Sequence, residues 1–195
     1  MAESLRMYFL SFYAIGVAVL LVKVMPSAFS GPPGEIHASG ASRVLPALLL
    51  PWDWLVPPLL ILLRLGEIDA TWTPLRIVGV GLSLYAAVFL LWATATLGRF
   101  LVPQAVVFRD HELVTSGPLR YVRHPAYSGD LALWLGAALA TLNLGLLLLW
   151  PLAVLGSFVQ SQVEEGLLRT KFGASYESYA RRTPRFIPRP RLPKG

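Results

Sequence analysis

Residues Leu131 to Val163, LALWLGAALATLNLGLLLLWPLAVLGSFVQSQV, run for 33 positions without a formal charge. As one helix at about 1.5 Å per residue they would measure roughly 50 Å, against about 30 Å for the hydrocarbon core of a bilayer. The stretch therefore has to fold back on itself. The polar, flexible break Thr141-Leu142-Asn143-Leu144-Gly145 supplies the turn, which predicts a hairpin of two helices, Pro125 to Ala140 and Leu146 to Val163.

Outward from the hairpin, three more apolar runs lie between basic residues. Met7 to Val22 falls between Arg6 and Lys23, and Ile77 to Gly98 between Arg76 and Arg99. Val44 to Leu63 falls between Arg43 and Arg64 and holds Asp53 with four prolines, so it predicts a kinked span. The first run reads as a retained anchor, because Glu3, Lys23 and the weak site at Ser27-Ala28-Phe29-Ser30 do not suit a cleaved signal. The expected fold is an all-α integral membrane protein with about five transmembrane helices, a C-terminal helical hairpin and a short cytosolic C-terminal helix. Residues 1–98 form the N-terminal spans, and 99–195 carry the hairpin, 125–163, and a basic tail.

Composition agrees: 55% of residues are hydrophobic and 14% charged, where soluble domains carry about a quarter charged. With the C-terminus in the cytoplasm, 14 of the 17 Lys and Arg residues fall inside and only Arg6, Arg64 and Arg76 outside, as the positive-inside rule requires. The net charge of +6 suits anionic lipid better than nucleic acid, for which no aromatic-basic module is present, and the tail from Arg181 to Lys194 reads as a lipid-surface patch. Cysteine is absent, which removes disulfides, thiolate metal sites and cysteine nucleophiles. The three histidines are scattered, with no pairing at metal-ligand spacing, so no metal is expected.

Two segments flanking the hairpin face the cytosol in this topology and can meet. The first holds Gln104, then His111-Glu112-Leu113-Val114-Thr115-Ser116-Gly117-Pro118, then Arg123-His124-Pro125-Ala126-Tyr127-Ser128-Gly129. The second holds Glu164-Glu165, Phe172-Gly173, Tyr176, Tyr179 and Pro184-Arg185-Phe186-Ile187-Pro188. Glu164 and Glu165 are about 100° apart around a helix, so one of them is expected to leave the pocket. Tyr176 and Tyr179 are expected to pack rather than to bind.

The pair RHPxYxG and EExxLxxxFGxxYxxY, in this order and separated by a hydrophobic hairpin, resembles the isoprenylcysteine carboxyl methyltransferase family, related to the phospholipid methyltransferases. The resemblance covers Leu97 to Pro188. It implies a membrane enzyme that binds S-adenosyl-L-methionine, without a Rossmann domain, in a pocket facing the cytosol. Carried over position by position, the cofactor contacts fall on Gln104, on His111, Glu112, Leu113 and Val114, on His124, Pro125, Ala126 and Tyr127, and on Glu164. The chain departs from the family at Gln160, where the relatives have an arginine matched to a substrate carboxylate, and at Leu119, where they have tyrosine. Asp130, a carboxylate about one turn into a membrane helix, joins Gln160 and Glu165 as a candidate catalytic residue, and His111 as a candidate base. The implied function is methyl transfer to a hydrophobic or lipidic acceptor. The alternatives are a small-thiol S-methyltransferase, a non-catalytic membrane scaffold of the same fold, and a reductase, for which no dinucleotide glycine motif is present.

Overall fold

The computed structural model describes residues 2–23, 36–37, 54–101 and 106–188. Among them the chain is helical: α1 (Ala2–Lys23), α2 (54–62), α3 (Thr73–Leu97), α4 (Pro125–Thr141), α5 (Leu144–Phe172) and α6 (Ala174–Arg182). Short 3-10 turns occupy Gly98–Phe100 and Gly117–Arg120. The strand pairing is two residues long, with Ile36 opposite Val107 and His37 opposite Val106.

The hairpin turn is tighter than the sequence predicts. Thr141 still belongs to α4, Leu142 adopts a left-handed conformation at φ 51°, and Asn143 caps α5 by accepting from the Leu146 N–H at 2.9 Å. Two indoles tie the arms together: Trp134 donates to the Leu146 carbonyl and Trp150 to the Leu131 carbonyl, each at 3.0 Å. The second arm is also longer than expected, running past Val163 to Phe172. Charge ends a membrane span but does not end a helix. Glu164 to Phe172 contains good helix formers, and the stop comes at Gly173, whose φ of 49° an L side chain tolerates poorly.

α3 packs along α4 at backbone contact distance. A Cβ on Gly79 would stand 2.3 Å from the Ala140 nitrogen, and one on Gly136 would stand 2.3 Å from Ser83 Oγ. Small residues at these two positions let the helices approach closely, which is how membrane helices gain packing energy without a hydrophobic drive. Phe9, Tyr13, Ile61, Leu133, Trp134 and Leu146 complete a buried core between α1, α2 and the hairpin.

Two of the helices, α3 and α5, are long and apolar enough to cross a membrane, with mean hydropathy 2.0 and 1.7. α4 has 17 residues, below the roughly 20 needed to span without tilt or thinning. α1 carries Glu3 and Arg6 near its start. Of the kinked run, only 54–63 lies among the described residues, and Asp53 lies outside them.

The three basic residues assigned to the far side of the membrane gather at the turn end of the hairpin. Arg6 donates to Glu67 at 2.8 Å and to Glu3, and Arg64 also pairs with Glu3. Glu67 bridges to Asn143. Arg76, buried, donates to the carbonyls of Ala140 at 2.8 Å and Ala70 at 3.1 Å. The opposite end of the hairpin carries the motif residues.

Candidate active site

Pro125 occupies the first turn of α4, where its missing N–H is not needed and its fixed φ starts the helix. His124 therefore stands just before the helix, and Tyr127 is one turn on. On the other arm, the apolar part of α5 ends at Val163, and Glu164 and Glu165 are its first charged residues. The hairpin thus delivers both sets of side chains to one place.

The imidazole of His124 is buried between the two carboxylates, with Nδ1 3.4 Å from Glu164 Oε2 and Nε2 3.1 Å from Glu165 Oε1. Neighbouring glutamates diverge around the helix, yet one ring is wide enough to touch both. Tyr127 donates its hydroxyl to Glu164 Oε1 at 2.5 Å, and the Gln160 amide nitrogen is 3.5 Å from the same oxygen. Glu164 keeps partial exposure, whereas the Glu165 side chain has none.

Glu165 is the hub of a cation cluster. Arg185 grips it with two donors, at 2.9 and 3.0 Å, Arg123 reaches it at 3.0 Å and Arg169 at 3.2 Å. Burial disfavours its charge, but the hydrogen bonds from His124 and Arg185 and the positive charge of Arg123 outweigh it and hold the carboxyl well below the usual glutamate range. For His124, burial alone would lower the pKa, but hydrogen bonds to Glu164 and Glu165, and their charges, raise it. Glu165 is thus surrounded by donors committed to its anionic form.

The chain after α6 straps this cluster, a feature that motif reading did not anticipate. Backbone N–H groups of Arg123 and His124 donate to the carbonyls of Pro184 and Arg185, and Ser128 Oγ donates to the carbonyl of Phe186. The Phe186 ring lies 5.9 Å from His124 and 6.4 Å from Tyr127. The available signal was Pro184 and Pro188 bracketing Arg-Phe-Ile, a pattern that favours extended chain.

His111 sits farther along α5. Its ring stacks on Phe100 at 4.4 Å and meets the edge of Phe172, eight residues beyond Glu164 and so about 12 Å of helix rise away. Lys171 fastens the segment by donating to the carbonyls of Phe108 and Arg109. His111 Nδ1 is buried without a partner among the described residues. Burial and the nearby Lys171 lower its pKa against the opposing pull of Asp110, so the ring is neutral at pH 7 and can present one nitrogen as an acceptor. Glu112 is exposed, Leu113, Val114, Ala126 and Asp130 are half-buried, and Pro125 is fully buried. Gln104 lies outside the described residues. Tyr176 and Tyr179 are buried, and Tyr179 donates to the carbonyl of Leu119 at 2.8 Å. Among the described residues no group of three His, Asp or Glu is placed to hold a metal ion.

The family model for phospholipid methyltransferase matches residues 75–175, which is over half of the chain. Protein-S-isoprenylcysteine O-methyltransferase of Schizosaccharomyces pombe is 42% identical over 82 residues, 41% of this chain and 34% of that protein. The cobalt-zinc-cadmium resistance protein CzcN of Cupriavidus metallidurans is 31% identical over 175 residues, 82% of this chain and 74% of that protein. Protein-S-isoprenylcysteine O-methyltransferase B of Arabidopsis thaliana is 32% identical over 99 residues, 49% of this chain and 50% of that protein. This chain thus matches only a third of the yeast enzyme's length and half of the plant enzyme's. On the matched span, the chain belongs to the phospholipid methyltransferase family, and it is similar to the isoprenylcysteine O-methyltransferases.

Proposed function

We propose that this protein is a membrane-embedded, S-adenosyl-L-methionine-dependent methyltransferase acting on a hydrophobic or lipidic acceptor. Five spans, with the C-terminus and the site facing the cytoplasm, complete the reading, and the basic tail rests on anionic lipid. The observation that carries it is the meeting of Tyr127 and Glu164, from opposite arms of the hairpin, around His124.

The residues present fit the cofactor. An adenosyl amino acid is rich in N–H and O–H donors, and the site offers an acceptor at the partly exposed Glu164 and a polar ring nitrogen at His111 Nδ1, which has no partner among the described residues, with ring faces from Tyr127, Phe186 and Phe100. When bound, S-adenosylmethionine supplies a methyl group on a positively charged sulfur, which needs no further activation. The protein's part is geometric. Glu164 orients the ligand through Tyr127 and His124, the Glu165 cluster fixes the His124 ring, and the strap at Phe186 keeps water off one side. Alignment of well-oriented reactants is worth roughly 7–11 kcal/mol, ample for a displacement that needs no metal.

Isothermal titration of the purified, detergent-solubilised protein with S-adenosylhomocysteine tests the reading. Binding to the wild type, weakened at least tenfold by Glu164→Ala and by His124→Ala, is expected. Absence of binding to the wild type defeats the methyltransferase reading, and binding indifferent to both substitutions defeats the site.

A further inference from the structure

Gln160 lies on α5 one turn before Glu164, on the bilayer side of it, and is only 4% exposed. Its amide nitrogen faces Glu164, while its carbonyl oxygen is buried without a hydrogen-bond partner among the described residues. A buried carbonyl with no donor is costly, and such an atom at a candidate site calls for a ligand that brings the donor.

The charges around it say which kind of ligand. The charged group it touches is the Glu164 carboxylate, and the guanidiniums of Arg123, Arg169 and Arg185 each pair with Glu165. A carboxylate placed here would meet Glu164's charge and Gln160's lone pair together. A group carrying N–H, O–H or S–H meets two acceptors instead.

We propose that Gln160 selects the methyl acceptor, its carbonyl oxygen accepting from an amine, hydroxyl or thiol at the head of an apolar molecule, with carboxylates turned away. This rests on the methyltransferase reading and names its substrate class. The head enters from the bilayer along α5, past Gln160, and stops at Glu164. Its nitrogen, oxygen or sulfur lone pair forms the new bond to the methyl carbon. The carbon–sulfur bond of the sulfonium breaks, its electron pair returns to sulfur as a thioether, and the head's proton passes to the Glu164 carboxylate.

The test pairs cofactor binding with acceptor choice. Wild type and Gln160→Met, which keeps the side-chain volume, are titrated with S-adenosylhomocysteine and assayed with methyl-labelled S-adenosylmethionine on dodecylamine, dodecanol, dodecanethiol and dodecanoic acid. The wild type is expected to methylate at least one of the first three at least about tenfold faster than the acid. Gln160→Met is expected to raise KM for that acceptor by roughly five- to tenfold, the worth of one hydrogen bond, while S-adenosylhomocysteine affinity stays within about twofold. Retained affinity also shows that the variant is folded. Gln160→Arg, which restores a cation, is expected to admit dodecanoic acid. Wild-type preference for the acid, transfer to none of the four, or a loss of S-adenosylhomocysteine affinity in Gln160→Met with KM unmoved overturns the assignment, the last by giving the carbonyl to the cofactor. Failure of the wild type to bind S-adenosylhomocysteine removes the parent reading as well, so the two failures are told apart.

Discussion

Replacing Glu165 with alanine should unfold the end of the hairpin that carries the motif residues. The carboxylate is fully buried and takes contacts from Arg185, Arg123, Arg169 and His124, all within 3.2 Å. Without it, two guanidiniums that are 13% and 22% exposed lose their counter-charge where water reaches them poorly. Removing one partner of a buried ion pair costs about 3–5 kcal/mol, because the remaining charges are left uncompensated. Arg169 provides the internal control: it and its second partner Glu177 are both 44% exposed, and Glu165 keeps Arg123 and Arg185 without it, so Arg169→Ala should cost under about 1 kcal/mol. Thermal unfolding in detergent, followed by tryptophan fluorescence, gives the ranking. Limited trypsinolysis gives a second readout, since Arg185 anchors residues 183–188 and cleavage after it should accelerate in Glu165→Ala. A Glu165→Ala melting curve that coincides with that of Arg169→Ala would refute the cluster as the keystone of the site.

Two other outcomes follow from the same physics. Gly79→Ala drives a Cβ into the α4 backbone and should cost about 1–3 kcal/mol, whereas Gly81→Ala, which meets nothing within 4 Å, should melt like wild type; equal melting of the two would contradict the close α3–α4 approach. Stability should also have a defined pH window. Glu165, with its pKa depressed, contributes fully above the ordinary glutamate value of about 4.3 and loses that contribution as pH falls below it, while His124, with its pKa raised, contributes below about 6.5 and loses its share as pH rises through its folded value. Melting temperatures measured across this range should therefore fall off on both sides, and His124→Gln should remove the alkaline decline alone.

Much of this arrangement was legible in the residues. The charge-free length of Leu131 to Val163 forced a hairpin, because no bilayer accommodates it as one helix, and the polar break from Thr141 to Gly145 marked the turn, within which the structure shows Asn143 to be the cap of α5. Pro125 placed the start of α4, and the two motifs marked which side chains meet. What escaped was set by contacts that no local pattern encodes. The end of α5 is not readable from charge, which bounds the apolar span at Val163 while the helix continues until Gly173, with its positive φ, stops it. The division of labour between Glu164 and Glu165 depends on which way the helix is turned toward α4, and that is settled by packing rather than by spacing. Arg185 reaches Glu165 across 20 positions of chain through a strap with no periodicity to announce it. The open carbonyl of Gln160 is likewise a fact of burial and partner, visible only once the arms are side by side.

Photolabelling with 8-azido-S-adenosylmethionine, followed by peptide mapping, tests most directly whether the two hairpin flanks enclose one adenosyl ligand. Adducts are predicted in both the 111–127 and the 160–172 peptides, and excess S-adenosylhomocysteine should suppress both together. Labelling confined to one flank, or adducts that the competitor leaves unchanged, would contradict the account.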